Sequence, residues 1–329
     1  MNDITAVVLS IGEPYTERAI ASVHRQTLAA DAQVVVRGVA PFHRALNEGA
    51  AQVRTRFFVQ VDADVILDDD CFAALHALMT EPIGLVSGLL RDPLLGRTQG
   101  VRLYRTACFA RVRIRDSISP DMDFERDIRA HGWDRQFALR YRGAEPNGWH
   151  TFGDHAPGYT THYTFCKFVL EGVRIRYRRH EGRVAVTFGR LRASRHSAAN
   201  LAVIGVARGL FLSEQRDLLV PYARTAETDM LEAFLAADGG GDGGAAAAAD
   251  GDERDGFLGA AAQGWRDREA GASAAFLARL QTLRTRGGRA AWLAALGQCH
   301  GLFHGPDQHG AAQAAYASLR ELLPYGEPW

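Results

Sequence analysis

The feature that most constrains this chain is a regular alternation of short apolar runs and longer amphipathic segments. Apolar runs of strand length are AVVLSI (6–11), QVVVRGV (33–39), FFVQV (57–61) and IGLVSGLL (83–90). Between them lie segments of helix length with apolar residues on one face, such as DDDCFAALHALM (68–79). Strands that alternate with helices in this way predict an α/β domain built on a mostly parallel sheet.

Composition excludes several classes of protein. With 329 residues and 47% hydrophobic content, the chain can form one large packed domain with an appendage. Lys and Arg together number 38, as do Asp and Glu, so no bulk charge recruits nucleic acid. The four cysteines lie far apart and lack metal-ligand spacing, which favours reduced thiols over disulfides or a zinc site.

No stretch of the sequence has the properties of a targeting or membrane-spanning segment. The start, MNDITAVVLSIGEPY, has an acidic residue and a short apolar run where a signal peptide needs a basic start and a longer run. The late apolar stretch 201–212 is too short to cross a bilayer and contains Arg208. We therefore expect no transmembrane segment and a cytoplasmic location, with peripheral membrane contact left open.

Low-complexity sequence predicts where the chain divides. Residues 238–253 read DGGGDGGAAAAADGDE, which lacks any apolar period and is typical of a mobile linker. We expect a main domain over 1–225, a flexible linker rich in Gly, Ala and Asp over 226–253, and a small helical module over 254–329. The arginine-dense segment 174–195 predicts a strand or strand pair, with alternate arginines on one face.

Five aspartates follow the third apolar run, in FFVQVDADVILDDD (57–70). Asp68 to Asp70 directly precede a predicted helix, whose N-terminus carboxylates stabilise, so we interpret them as capping residues. Asp62 and Asp64 are separated from that helix by VIL and lie two residues apart at a strand end, where alternating side chains point the same way. Two such carboxylates predict a site for Mg²⁺ or Mn²⁺ beside a nucleotide phosphate.

Several stretches taken together resemble family 2 glycosyltransferases, which have the GT-A fold. The resemblance lies in the order and spacing of AVVLSIGEPYTERAIASVHRQT, ALNEGAAQVRTRFFVQVDADVILDDD, GVRLYRTACF and SPDMDFERDIRAHGW, and covers roughly residues 4–180. It implies a Rossmann-like, mixed and mostly parallel sheet flanked by helices, followed in this chain by the C-terminal helical module.

The resemblance implies a metal and nucleotide site at the aspartate pair. Asp62 and Asp64 match the acids that hold Mg²⁺ or Mn²⁺ against a nucleotide diphosphate, with Asp64 the more direct ligand and Asp62 nearer the ribose. A late histidine often joins the metal in this family, and of His150 and His155 we prefer His155. The other residues at nucleotide-binding positions are Ser10, Gly12, Glu13, Arg37 and Asn47.

The acidic motif that carries the family's catalytic base falls on residues 120–124, PDMDF. This match makes Asp121 the candidate base that deprotonates the acceptor hydroxyl. Two positions depart from the family's pattern. Pro120 replaces the first acid of this motif, and Arg37 stands where the second strand normally ends in an acid that contacts the nucleobase.

These residues predict a metal-dependent, inverting hexosyltransferase. It would move a sugar from a nucleotide-sugar to a hydroxyl of a glycan, lipid-linked or protein acceptor, in bacterial surface glycan or glycoconjugate synthesis. Two alternatives stay open. A sugar nucleotidyltransferase needs a Gly-rich, basic turn after the first strand, which SIGEPYTER does not supply. A non-catalytic nucleotide- or glycan-binding protein is favoured by the missing acid at Arg37.

Overall fold

The first three predicted strands lie side by side in a mixed α/β sheet, which confirms the predicted fold class. The computed structural model describes residues 2–138, 150–178, 181–212, 224–237, 253–286, 288–305 and 309–322. It divides the chain into an N-terminal unit, Met1–Pro157, and a C-terminal unit, Gly158–Trp329. The sheet belongs to the N-terminal unit, and the described part of the C-terminal unit is helical.

The elements of the N-terminal unit follow one another in the expected alternation. They are β1 (Ile4–Ser10), α1 (Thr16–His24), β2 (Ala32–Arg37), α2 (Phe42–Gln52), β3 (Phe57–Asp62), β4 (Val65–Leu67), α3 (Cys71–His76), β5 (Ile83–Asp92), β6 (Gly96–Arg105), α4 (Thr106–Phe109), α5 (Pro120–Ala130), β7 (Asp134–Phe137) and β8 (Gly153–His155). The strand order is β2, β1, β3, β6, β5, β8, β4, and β7 also pairs with β5. Strand β1 runs parallel to β2 and β3, whereas β3 and β6 are antiparallel.

Side chains of β1 alternate between two hydrophobic clusters, one on each face of the sheet. Ala6 and Val8 pack in the cluster that also holds residues of α1 and α3, and Val7 and Leu9 pack with α2, α4 and α5. All seven residues of β1 are buried. A central strand of a doubly covered sheet must be apolar on both faces, which explains the unbroken run AVVL in the sequence.

Strand β8 is held tightly against the short strand β4. Val65 pairs with His155 and Leu67 with Gly153 in an antiparallel register. A Cβ atom on Gly153 would lie 2.4 Å from the carbonyl oxygen of Ile66 and 2.9 Å from Cα of Leu67. Since both are backbone atoms, only glycine permits this approach. The sequence predicted neither β4 nor β8.

The elements of the C-terminal unit are helices. They are α6 (Thr161–Tyr177), α7 (Glu181–Ala193), α8 (Ala199–Phe211), α9 (Ala226–Ala236), α10 (Glu253–Glu269), α11 (Ser273–Arg286), α12 (Arg289–Phe303) and α13 (His309–Leu322). Glycines allow two helix pairs to pack closely. A Cβ atom on Gly172 of α6 would lie 2.3 Å from the carbonyl oxygen of Val206 in α8. A Cβ atom on Gly301 of α12 would lie 1.8 Å from the carbonyl oxygen of Ala261 in α10.

The structure contradicts one expectation from the sequence, and the predicted domain boundaries stay predictions. The predicted strand pair over 174–195 is wrong, because α6 continues to Tyr177 and α7 follows it. Helix α9 occupies the start of the predicted linker, residues 226–253, and 238–252 lie outside the described residues. The division at 157 also falls before the predicted boundary, so the functional extent of a 1–225 domain and the module at 254–329 stay predictions.

The three aspartates before α3 mark the start of a helix as predicted, but their side chains have other contacts. The helix begins at Cys71, directly after them, but Asp70 makes no side-chain capping hydrogen bond. Asp68 instead forms an ion pair with Arg91 at 2.7 Å, and Asp69 lies 3.3 Å from Arg25.

Within the described ranges no helix is long and apolar enough to cross a membrane. The apolar stretch at 201–212 forms α8, which is buried along most of its length.

We predict that Gly153→Ala loosens β8. The added methyl has to displace the backbone of β4, so the free energy of unfolding should fall by about 1–3 kcal/mol, as in other overpacked sites. Urea unfolding followed by circular dichroism measures this change. Gly189→Ala is the matched control, because nothing lies within 4 Å of a Cβ there. Equal stability of the two variants would contradict the close approach.

Candidate functional site

The predicted nucleotide-site residues of the first three strands meet at one edge of the sheet. Ser10, Arg37 and Asp62 are the last residues of β1, β2 and β3. Ser10 lies opposite Arg37 in the parallel register, and Asp62 lies opposite Leu9, the neighbour of Ser10. The carboxyl edge of parallel strands is the usual place for ligands in open α/β sheets.

Hydrogen bonds to the carboxylate of Glu13 stabilise the turn after β1. One carboxylate oxygen of Glu13 accepts hydrogen bonds from Ser10 Oγ and from the backbone N–H of Ile11, both at 2.8 Å. The backbone N–H of Gly12 donates to Ser10 Oγ, and Gly12 has a φ of +104°, which favours glycine. Glu13 therefore shapes the predicted nucleotide-binding turn from within.

Arg37 and Asn47, two of the residues predicted to bind the nucleotide, each have a partner within the protein. Arg37 is exposed and forms a 2.9 Å ion pair with Glu17 of α1. The side-chain amide of Asn47 makes two hydrogen bonds with the backbone of Ile114, donating to its carbonyl at 2.8 Å and accepting from its N–H at 3.0 Å. Asn47 thus fixes the segment before α5, and its predicted contact with a nucleotide has no support in these bonds.

Asp62 is held by a chain of polar side chains along β3 and β6. Gln60 donates to Asp62 Oδ1 at 2.9 Å, and Tyr104 donates to Gln60 Oε1 at 3.1 Å. Burial, together with the charge of Asp64, raises the pKa of Asp62 to about 6 from an ordinary value of 3.8. The Gln60 hydrogen bond and the positive groups of Arg102 and His155 oppose this rise. A further positive charge, such as a metal ion, would stabilise the ionised forms of Asp62 and Asp64.

Asp64 lies at one end of a three-residue chain of polar contacts. His155 Nε2 is 3.3 Å from Asp64 Oδ2, and His155 Nδ1 is 2.5 Å from Asp92 Oδ2. The pairing of β4 with β8 creates the first contact, and Ala156 N–H donates to the carbonyl of Asp64 at 2.7 Å. The second contact arises because β8 also pairs with the end of β5, through Arg91 and Asp154.

This arrangement has the chemistry of a divalent metal site. Asp92 faces His155 Nδ1, so the ring N–H at that position donates to it and Nε2 faces Asp64. His155 Nε2 and Asp64 Oδ2 face each other at 3.3 Å, a separation that suits a shared proton or two ligands of one metal cation. A carboxylate and an imidazole are ligands that Mn²⁺ accepts, and phosphate oxygens and water complete such shells.

Of the two candidate histidines, only His155 contacts the aspartate pair in the structure. It lies on β8, a strand that the sequence did not predict. His150 packs edge-on against Phe152 with ring centroids 4.8 Å apart, and its Nε2 is 4.0 Å from Asp70 Oδ2. These contacts favour His155 as the metal ligand of the pair, as the sequence preferred.

Asp121 is fixed by a buried arginine. It lies in the first turn of α5 and forms a 2.7 Å ion pair with Arg102 of β6, whose side chain is 9% exposed. Burial acts to lower the pKa of Arg102, but the carboxylates of Asp121 and Asp62, among other groups, outweigh it and raise that pKa. Arg102 is therefore a shared positive charge between the strand-end aspartate and the candidate base.

The sequence missed two residues of this site, Asp92 and Arg102. Asp92 ends β5 in the segment LLRDPLLG, where an aspartate before proline signals a turn but not a contact with a histidine far along the chain. Arg102 alternates with Tyr104 in GVRLYR, so its direction was readable from the strand period. The sequence could not show that Arg102 pairs with Asp121, because that contact depends on how α5 packs.

A second group of metal-type ligands lies in the C-terminal unit. His162, Asp229 and Glu232 are the one set of three such side chains, among the residues described, whose ligand atoms all lie within 4.8 Å of one another. Arg224 already pairs with Asp229 at 2.8 Å and with Glu232 at 3.1 Å. Since a guanidinium supplies the positive charge there, we interpret the group as an ion-pair network.

Comparison with known proteins yields little. No family model matches the chain, and no curated protein matches it. Among solved structures, the chain is similar to the mannosyltransferase PcManGT from Pyrobaculum calidifontis, in complex with GDP-Man and Mn²⁺. The two share 16% identity over 92% of this chain and 87% of that one, with a TM-score of 0.40. Similarity at this level supports no conclusion about the activity of this chain.

We predict a pH dependence of stability that Asp62 controls in metal-free protein. Because folding raises the pKa of Asp62 from 3.8 to about 6, the folded state binds this proton more tightly than the unfolded state. The stabilisation is full below pH 4 and is lost as the pH rises through 6. Asp62→Asn is neutral throughout, so its stability relative to wild type should increase by about 2 kcal/mol across that range.

Urea unfolding of both proteins in EDTA, between pH 3.5 and 7.5, measures this difference. The free energies of unfolding are compared at each pH, so titrations common to both proteins cancel. A constant difference between wild type and Asp62→Asn would show that the pKa of Asp62 is not raised by folding.

Proposed function

We propose that this chain is a metal-dependent glycosyltransferase that moves a sugar from a nucleotide-sugar to an acceptor hydroxyl, with inversion at the anomeric carbon. The observation that carries the proposal is the contact between Asp64 and His155 beside Asp62, at the carboxyl edge of the sheet. The resemblance of residues 4–180 to family 2 glycosyltransferases supports the same assignment.

In this proposal Asp64 and His155 hold Mn²⁺ or Mg²⁺, and Asp62 lies beside them toward the ribose. The metal supplies positive charge against the diphosphate, which gains negative charge as it leaves the sugar. The close carboxylates of Asp62 and Asp64 repel each other without a cation, which makes the site ready to bind one. The turn at Ser10 to Glu13 and the exposed Arg37 lie at the same edge for the nucleoside.

Asp121 is the proposed general base. In a single displacement, its carboxylate accepts the proton of the acceptor hydroxyl while that oxygen bonds to the anomeric carbon and the bond to the diphosphate breaks. The ion pair with Arg102 fixes the orientation of the carboxylate. Arg102 also acts on Asp62, so the acceptor and donor sides of the site share one buried charge.

The finer assignments follow from the sequence and belong to the proposal. We infer a hexosyl donor, a glycan, lipid-linked or protein acceptor, and a place in bacterial surface glycan or glycoconjugate synthesis in the cytoplasm. Arg37 takes the place of the acid that ends the second strand in the family. It presents hydrogen-bond donors rather than acceptors to a base, which favours a nucleobase with exposed carbonyl oxygens.

We predict that nucleotide binding depends on Mn²⁺ through Asp64. Calorimetry with UDP, GDP and dTDP, with and without Mn²⁺, should show metal-dependent binding of at least one nucleotide by wild type. Asp64→Asn should weaken that binding about 100-fold or more, since loss of a ligand costs at least as much as loss of its supporting residue. Asp69→Asn, an exposed acid before α3, is the control and should bind as wild type does. Metal-independent binding, or none, would overturn the proposal.

We predict that Asp121 acts after binding. Asp121→Asn should keep Mn²⁺-dependent nucleotide affinity within about twofold and lower the rate of sugar transfer roughly 10²–10⁴-fold, the usual contribution of a general base. Released nucleotide from a panel of donors measures the rate. Asp127→Asn is the matched control, since Asp127 lies on the same helix and also pairs with an arginine, Arg115, at 2.7 Å. Retained transfer in Asp121→Asn would exclude it as the base.

A further inference from the structure

We propose that Asp92 is a positioning residue that prepares His155 to bind the metal, an inference that rests on the proposed function. Asp92 does not face the aspartate pair itself. It acts on His155 Nδ1, on the side of the ring opposite to Asp64. A hydrogen bond at one ring nitrogen decides which nitrogen is left to bind a metal, and residues that make such bonds tune metal affinity.

The burial of Asp92 supports this role. Its side chain is fully buried, and its Oδ2 lies 2.5 Å from His155 Nδ1. A buried carboxylate needs hydrogen-bond donors, and the structure supplies them from two directions. The backbone N–H groups of Leu94 and Leu95 donate to Oδ1 at 2.8 and 2.6 Å, and His155 donates to Oδ2.

The two backbone bonds also fix which way the carboxyl group faces. Because Leu94 and Leu95 are donors, the atom that faces them must be an acceptor, and the other atom must face His155. In Asp92→Asn the amide oxygen therefore stays with the backbone, and the amide nitrogen faces His155 Nδ1. This nitrogen can only donate, so Nδ1 has to accept and the ring proton moves to Nε2, toward Asp64.

Asp92→Asn is thus a nearly isosteric change with a specific expected effect. The turn between β5 and β6 keeps its hydrogen bonds, so the protein should fold. His155 Nε2, carrying the proton, donates to Asp64 and no longer offers a lone pair to a cation. Affinity for Mn²⁺ in the presence of the nucleotide that wild type binds should fall about 10–100-fold, as for other residues that support a metal ligand.

The test combines calorimetry with nitrogen NMR on the full chain. Mn²⁺ affinity is measured for wild type, Asp92→Asn, His155→Gln and the double variant. If Asp92 acts on metal binding through His155, the double variant should bind Mn²⁺ no more weakly than His155→Gln alone. The control is Asp154→Asn, which removes the exposed neighbour of His155 that bonds Arg91, and it should bind Mn²⁺ as wild type does.

The NMR measurement needs no metal and no activity. Protein labelled with ¹⁵N at its 12 histidines shows, through proton–nitrogen correlations in EDTA, which ring nitrogens carry a proton. The signal missing from His155→Gln identifies His155. We expect a protonated Nδ1 in wild type and an unprotonated Nδ1 in Asp92→Asn.

Each contrary result has its own meaning. Equal Mn²⁺ affinity in wild type and Asp92→Asn, additive losses in the double variant, or an unprotonated Nδ1 in wild type would each overturn the role of Asp92 while leaving the proposed function in place. If wild type and Asp154→Asn bind no Mn²⁺ with any nucleotide, the proposed function itself is wrong, and the role of Asp92 in metal binding is wrong with it.

Discussion

The contact of His155 with two carboxylates is the interaction on which the rest of the site depends. It requires β8 to lie against β4 and against the end of β5 at once. Backbone bonds secure both sides, since Asp68 N–H donates to Phe152 and Phe152 N–H donates to Leu89. These bonds hold the three-residue strand β8 in place and so orient the imidazole of His155.

The acids of this edge are balanced by few positive groups. Asp62 and Asp64 repel each other, and Glu125 of α5 is buried, where desolvation raises its pKa despite an ion pair with Arg135. Buried carboxylates are tolerated only with partners or a cation. Arg102 pairs with Asp121, and Arg135 pairs with Glu125. In the proposed function, a metal ion would add positive charge next to Asp64.

Local pattern was enough to predict the first three strands and the sheet edge at which they end, whereas the metal role of the aspartate pair stays a prediction. Apolar runs rich in β-branched and aromatic residues predicted β1 to β3, and Asp62 ends β3. It was not enough for Asp92, because its contact with His155 depends on the pairing of strands distant in sequence. The error at 174–195 has a similar cause: arginines two apart fit a strand, but Val169 and Val173 continue the apolar helical period of α6, and burial of that face decides the structure.

Arg102 makes the two halves of the site interdependent. Arg102 forms an ion pair with Asp121, and the charge of Asp62 helps to raise the pKa of Arg102. A change in charge at either aspartate therefore alters the electrostatic field at the other. Departure of a diphosphate bound beside Asp62 would therefore change how strongly Arg102 holds Asp121. In a displacement where the acceptor loses a proton as the donor bond breaks, a shared buried cation couples these two events more directly than separate charges would.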